Sequence, residues 1–200
     1  GKIKRFIEKP AKGTEPSKFI NAGAYVLNPE ILQLIPENRT ISIEREIFPR
    51  LAEQEKLYGY IFNGLWIDIG KPQEYLQTNR ILLDTLKPKL TPKANGYEIR
   101  KPIAIDKKVS IGEATIIGPY TVLGKNVTIG NNAEISNSVV LQGTKISNNV
   151  RIDGAIIGEE AIIEENVKIT EGCIIGDHAK VRKNEAPSKN TTVCPAKEIF

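Results

Sequence analysis

The 200-residue sequence contains no methionine, one tryptophan, one histidine and two cysteines. Each scarcity excludes something. Cys173 and Cys194 stand in unrelated contexts without CxxC or CxxH spacing, so neither a zinc site nor a disulfide framework is called for, and free thiols fit a reducing cytoplasm. No apolar run approaches the roughly 20 residues of a membrane-spanning helix. No charged-then-apolar leader precedes the first elements, which argues against secretion. The charge of +4 comes from 28 basic and 24 acidic residues mixed along the chain. Basic blocks with interleaved aromatics are missing, which argues against nucleic acid as a partner. The missing methionine, together with the opening "GKIKRFIEKP", a strand already in progress, reads as a piece of a longer chain.

What is present divides into two halves. From Ile105 a six-residue period runs through IDKKVS, IGEATI, IGPYTV, LGKNVT, IGNNAE and ISNSVV. Its aliphatic column is Ile105, Ile111, Ile117, Leu123, Ile129, Ile135 and Leu141. A second column of small or β-branched residues is Val109, Thr115, Thr121, Val127, Ala133 and Val139. Each unit is a short strand and a turn, and three units make a triangular coil of about 18 residues, a parallel β-helix of the hexapeptide-repeat kind. Gly112, Gly118, Gly124 and Gly130 mark corners that need positive backbone angles or close backbone approach. Ordering six residues costs on the order of 6 to 12 kcal/mol of backbone entropy. Burying one large aliphatic side chain returns roughly 1.5 to 3 kcal/mol. One coil alone is therefore unstable, and stacking is obligatory. Steps of five, from Leu141 to Ile146 and from Ile152 to Ile157, predict tightened corners near residues 142 to 145 and 153 to 156. About four coils span residues 103–183, with 184–200 as a cap and tail.

Residues 1–87 read as an α/β segment, followed by a linker at 88–102 rich in Lys and Pro. Strands are expected at 3–7, 19–27 and 57–62. Helices are expected after Asn28, after Ser42 with a division at Pro49, and from Pro72.

Chemistry-bearing residues cluster in this segment. In "FIEKP", Glu8 and Lys9 end a strand that Pro10 stops; a carboxylate accepts sugar hydroxyls and an ammonium neutralises phosphate, but the tripeptide by itself reads as a surface ion pair. "INAGAYVL" puts Asn21 and Gly23 in an apolar run, where a glycine marks either a close ligand approach or a β-bulge. In "LWIDIGKP", Asp68 is either a turn carboxylate bound to backbone amides or a Mg²⁺ ligand, and spacing leaves both open. His178 in "IGDHAK", the one histidine available to an acyltransferase, occupies an ordinary repeat position and reads as a solvent-facing turn residue. Cys173 falls in the inward column and reads as core.

In order, FIEKP at 6–10, INAGAYVL at 20–27, SIEREIFP at 42–49, LWIDIGKPQEYL at 65–76, the repeats and the closing VCPAKEI resemble a sugar-phosphate nucleotidylyltransferase. The nearest branch is GDP-mannose pyrophosphorylase, the mannose-1-phosphate guanylyltransferases. The resemblance implies a partial Rossmann-like α/β nucleotidyltransferase domain followed by a left-handed parallel β-helix that mediates homo-oligomer assembly. It implies substrates that are a nucleoside triphosphate and a sugar 1-phosphate, with Mg²⁺ as cofactor. Carried onto matching positions, it implies that Glu8 binds sugar hydroxyls, Lys9 the sugar phosphate, that Asn21 and Gly23 line the sugar pocket, and that Asp68 is one of two aspartates holding the metal. Lys9 and Asp68 are then the catalytic pair. Glu44 and Glu46 are left with helix packing and interface contacts. The family's glycine-rich loop with its arginine, a further lysine and the first metal-binding aspartate have no counterpart here, so these residues are expected to carry half an active site and to be inactive alone. The base is not legible, which keeps a glucose-1-phosphate thymidylyl- or uridylyltransferase as an alternative. A non-catalytic regulatory or scaffold relative is another.

Overall fold

The computed structural model describes residues 1–86 and 96–200, which divide into two compact units, Gly1–Trp66 and Ile67–Phe200. The expected linker at 88–102 lies partly outside the described residues.

The second unit is built on the repeat. Three parallel sheets form its sides, two of six strands and one of five, giving about six turns. One sheet stacks Glu98–Ile99, Ile116–Ile117, Glu134–Ser136, Arg151–Asp153 and Lys168–Ile169. The aliphatic column faces inward: Ile117, Ile135, Ile157, Ile163 and Ile175 are fully buried. Hydroxyls of the small column are buried too, and each bridges backbone. Thr115 Oγ1 donates to Gly130 O (2.8 Å) and accepts from Ala133 N–H (3.1 Å), and Thr144 Oγ1 donates to Gly158 O (2.9 Å). Burying these groups is tolerated because they are hydrogen-bonded.

Of the two roles expected of the corner glycines, close approach holds at all four, and Gly118 also has a positive φ of 99°. Gly112, Gly124 and Gly130 serve close approach: a Cβ on Gly112 would lie 2.5 Å from Gly130 C and one on Gly124 2.7 Å from Gln142 N. The left-handed conformation belongs instead mostly to non-glycine residues two positions further on, such as Ala114, Asn126 and Asn132. Their N–H groups donate to the preceding coil, Ala114 to Gly96 O (2.6 Å), Asn126 to Lys107 O (3.1 Å) and Asn132 to Glu113 O (2.9 Å). His178 is another of these corners, with φ of 57° and its N–H on Glu159 O at 2.7 Å.

The predicted slip at 153–156 is present: Ile152 is followed inward by Ile157, with Gly154 at a φ of 68°. The other lies one unit earlier than predicted. Val140, not Leu141, is the buried residue, paired with Leu123 and Ile157, so the step of five runs from Ile135 to Val140. Likewise Ser138, not Val139, fills the small column beside Thr121, and its Oγ accepts Ala155 N–H at 3.0 Å. Val139, Val140 and Leu141 are all apolar, so alternation could not choose among them.

The solenoid also exceeds its expected bounds of 103–183 and four coils. Glu98–Ile99 pairs with Ile116–Ile117, Thr192–Val193 with Ile174–Ile175, and Glu198–Ile199 with Lys180–Val181. Residues 184–200, expected as a cap, thus add a turn in which Pro187 stands on the six-residue count between Val181 and Val193. Proline has no N–H for a ladder, and no strand forms there. The last turns are tied by charge. Lys180 Nζ lies 2.7 Å and Arg182 Nη1 3.3 Å from Glu164 Oε1, and Arg182 Nε lies 2.5 Å from Glu198 Oε1. The Lys180 hydrogen bond, then the Lys183 N–H, holds the Glu164 carboxyl below its ordinary value.

Helix α2, Pro72–Leu86, opens at the proline as expected. Arg80 stacks over the Tyr120 ring at 4.0 Å, and Leu83 is buried.

In the first unit the helices appear where capping predicts them. Asn28 Oδ1 accepts Glu30 N–H before a 3₁₀ helix, Pro29–Leu34, and Ser42 Oγ accepts Arg45 N–H. Ile43–Ile47 is wound as a π-helix and passes into α1, Phe48–Glu53, so the division falls beside Pro49. The strands expected at 3–7, 19–27 and 57–62 do not form among the described residues. Only a bridge, Lys2 to Tyr58, is made, with Ile3 N–H on Leu57 O at 2.9 Å. Their apolar side chains stay exposed, Phe19 and Ile20 at 71% and Tyr60 at 91%. Apolar alternation makes a strand only where another backbone supplies the ladder.

If the inward column carries the solenoid, Ile152→Ala destabilises the chain by about 2 to 5 kcal/mol, while Ile162→Ala, outward-facing and 37% exposed, costs less than about 1 kcal/mol. Urea denaturation of both variants checks this, and equal losses would refute the assignment.

Candidate functional site

The core of the first unit is aromatic. Phe48 is buried, with the Phe6 ring edge-on at 5.2 Å and the Tyr25 ring edge-on at 4.9 Å. On this trio sits a polar network that joins two of the quoted motifs. Asn21 Nδ2 donates to Tyr25 Oη and to Glu44 Oε1, both at 2.6 Å, and Tyr25 O–H donates to the same Glu44 oxygen. Gly23 N–H donates to Asn21 Oδ1 at 3.0 Å, closing an Asx turn that places Gly23 at a φ of 72°. The glycine thus serves a left-handed turn, not a β-bulge, and the space beside it is open, with nothing within 4 Å of where a Cβ would stand. Trp66 Nε1 ties the far end of the unit to this turn through Ala22 O at 3.1 Å.

Glu8 is half-buried and Lys9 exposed. The surface ion pair expected of them is not made: neither side chain has a hydrogen bond or ion pair among the described residues. Glu8 is nevertheless near enough to the network for its charge to act on Tyr25. Burial first, then the Glu44 hydrogen bond and the charges of Glu44 and Glu8, raise the phenol above its ordinary value, against the lowering bond from Asn21. Tyr25 therefore stays protonated and a donor. Lys9 adopts a φ of 50°, a conformation uncommon for a residue with a Cβ and found where structure over-determines a position.

Asp68 lies in the second unit, exposed, just before α2. Its two readings separate here. The amides of the turn are bound, but by Glu74, whose Oε2 accepts Gly70 N–H at 2.8 Å and Lys71 N–H at 2.9 Å. Asp68 has no hydrogen bond or ion pair among the described residues, so the turn role belongs to another carboxylate. Among the described residues no three acidic, histidine or cysteine side chains gather to hold a metal ion. A single carboxylate without protein partners fits Mg²⁺, which takes one or two carboxylates and completes its shell with substrate phosphates and water.

In the solenoid, His178 is exposed, with Nδ1 3.4 Å from Glu160 Oε2 of the coil below, as a corner residue should be. Cys173 is buried in the inward column and Cys194 exposed.

Of the residues singled out in the sequence, the structure joins Asn21 and Gly23 and brings the charge of Glu8 to bear on Tyr25; Tyr25 has no role in the sequence reading, and Glu44 only helix packing and interface contacts. Both stood in the quoted motifs; what was missing was the fold that sets residue 44 against residue 21.

Comparison with known proteins gives the class first. Residues 1–85 match the family model described as Nucleotidyl transferase. Residues 99–200, half of the chain, match the model described as GMPPB C-terminal domain, and the chain belongs to that family. "Probable mannose-1-phosphate guanylyltransferase 2" of Arabidopsis thaliana is 44% identical over 108 residues, 54% of this chain and 29% of that protein. "Mannose-1-phosphate guanylyltransferase catalytic subunit beta" of Drosophila pseudoobscura pseudoobscura is 45% identical over 93 residues, 46% of this chain and 24% of that protein. "Mannose-1-phosphate guanyltransferase" of Yarrowia lipolytica is 38% identical over 109 residues, 52% of this chain and 29% of that protein. The chain spans 24% to 29% of the length of these curated relatives. No helix among the described residues is long and apolar enough to cross a membrane.

Gly23→Ala tests the turn. With open space and a positive φ, the cost is backbone strain alone, about 1 kcal/mol by thermal or urea denaturation. A neutral or stabilising result would show that Gly23 does not hold this conformation.

Proposed function

We propose that this chain is the sugar-phosphate-binding part and the β-helix of a mannose-1-phosphate guanylyltransferase. The observation that carries the reading is the pair Glu8 and Lys9, with no hydrogen bond or ion pair among the described residues, Glu8 near enough to an ordered Asn21–Tyr25–Glu44 network for its charge to act on Tyr25, inside a segment that matches nucleotidyl transferases. Free polar groups beside ordered ones mark where a ligand completes the hydrogen bonding. The relatives' names supply mannose 1-phosphate as the acceptor and a guanylyl group as what is transferred, with GTP as its donor in this reading.

In this reading Glu8 accepts sugar hydroxyls, Lys9 neutralises the sugar phosphate, and Asn21 and Gly23 form the wall of the sugar pocket. An oxygen of the sugar phosphate attacks the α-phosphorus of the nucleotide. The new P–O bond forms as the bond to the bridging oxygen breaks, and the electron pair leaves with pyrophosphate. No covalent enzyme intermediate is needed, so the work of the side chains is positioning and charge stabilisation. Asp68 is the metal ligand this chain contributes; Mg²⁺, when bound, neutralises charge on the phosphates. The solenoid assembles copies of the chain through the sheet whose outward row, in register, is Ala104, Val122, Val139, Ile156, Ile174 and Thr192; Val139 is buried within the chain, and Ile156 and Ile174 remain half-exposed as the apolar contact.

Isothermal titration of the chain with mannose 1-phosphate tests the ligand. Lys9→Ala is expected to weaken binding roughly 10- to 100-fold, the worth of one charge-assisted hydrogen bond. Unchanged affinity removes Lys9 from the site. For the assembly, sedimentation velocity is expected to show an oligomer that the double variant Ile156→Glu, Ile174→Glu dissociates. A wild-type chain that stays monomeric at every concentration contradicts it.

A further inference from the structure

We propose that Glu44 is itself a sugar-binding residue, accepting a hydroxyl of the sugar phosphate through Oε2, and that Asn21 and Tyr25 are positioning residues that hold it; this rests on the sugar-phosphate reading above. The inference comes from counting donors and acceptors. Asn21 is held inside the chain at both ends of its amide. Nδ2 lies 2.6 Å from both Glu44 Oε1 and Tyr25 Oη, two oxygens that are themselves hydrogen-bonded, so one N–H is shared between them, and Oδ1 takes the Gly23 N–H. The amide cannot be turned the other way round. Its oxygen must face the Gly23 N–H and its nitrogen the Glu44 carboxylate, so the partners fix the assignment. The one proton of Tyr25 goes to Glu44. Asn21 is therefore fixed in place by Gly23, Tyr25 and Glu44, with no more than one N–H outside that network.

Glu44 supplies an open acceptor. Oε1 accepts two hydrogen bonds, which lock the carboxylate's direction, while Oε2 accepts none among the described residues. The side chain is half-buried in the first turn of the π-helix capped by Ser42, so its backbone is fixed as well. A carboxylate held at one oxygen and open at the other is a preorganised acceptor for O–H donors. Glu8, whose charge reaches the same phenol, supplies a second open carboxylate. Two open carboxylates suit the hydroxyl-bearing ring of the substrate, and Lys9, the nearest cation in sequence, suits its phosphate.

Glu44→Gln is a close test. The substituted side chain keeps an oxygen for Asn21 and Tyr25, so the network survives, but the outward atom changes from an acceptor to a donor. Titration of the 200-residue chain with mannose 1-phosphate, its mono-deoxy analogues and inorganic phosphate reads the result. Glu44→Gln is expected to weaken mannose 1-phosphate binding at least about tenfold, the worth of one hydrogen bond to a charged group. It should leave inorganic phosphate binding and the thermal midpoint unchanged. For one mono-deoxy analogue, wild type and variant should bind alike, which identifies the hydroxyl. Tyr25→Phe should lose a few-fold for the sugar phosphate and nothing for phosphate, and a normal thermal midpoint would show that this is positioning and not collapse. If wild type binds mannose 1-phosphate and Glu44→Gln binds it equally, or loses phosphate and sugar phosphate in parallel, the role of Glu44 is overturned while the function stands. If wild type binds no sugar phosphate, the function itself falls and takes this role with it.

Discussion

The second unit depends on the requirement that every coil give its N–H groups to a neighbour. Along the sides this is an ordinary parallel ladder, but at the corners the chain turns and the ladder would break. The left-handed residues solve this: His178 N–H reaches Glu159 O, Asn166 N–H reaches Asn148 O and Gly172 N–H reaches Gly154 O, each one coil away. A residue with a Cβ gives up roughly 1 to 2 kcal/mol to stand in that conformation. An unpaired buried N–H would cost a similar amount or more. The two nearly balance, so the corner column, mostly Asn and Gly, also admits Ala, Glu, His, Lys and Tyr. Glycine is demanded elsewhere, at Gly112, Gly124 and Gly130, where the next coil's backbone leaves no room for a side chain.

That division explains what the sequence made legible. The aliphatic column was plain because a six-residue step leaves only one inward phase, and the family resemblance followed from motifs in order. The slip near 140 was misplaced because three consecutive apolar residues leave phase undetermined until strand pairing puts Val140 opposite Leu123. The last turn was taken for a cap because Pro187 and the polar residues around it hide a count that Val193 and Ile199 continue. In the first unit the error ran the other way. The apolar runs at 19–27 and 57–62 carry a strand's composition, but composition is only one partner's contribution to a sheet, and no ladder forms on them among the described residues.

The candidate site was legible in its residue types and not in its division of labour. Spacing showed a carboxylate before α2, and either of two carboxylates could bind the turn amides. Glu74, four residues beyond Gly70, reaches back across the first helical turn and takes them. Asp68 is thereby left without a protein partner, a fact about helix geometry that composition cannot supply. The same holds for Asn21. As a strand residue it would have presented its amide outward; as the first residue of an Asx turn it folds the amide inward, against Glu44.

The network and the open groups are two sides of one electrostatic arrangement. Glu8 and Glu44 both bring negative charge toward Tyr25, and that charge, with burial, keeps the phenol protonated. A protonated Tyr25 donates to Glu44 and so spreads the charge of that carboxylate, which lowers the cost of holding it beside the aromatic trio of Phe6, Tyr25 and Phe48 within reach of the Glu8 charge. Tyr25 and Asn21 together fix one oxygen of Glu44 and leave the other open. In the proposed reading hydroxyl donors suit such a pair, because they satisfy the open lone pairs without bringing further negative charge, and Lys9 is the cation for a phosphate attached to them.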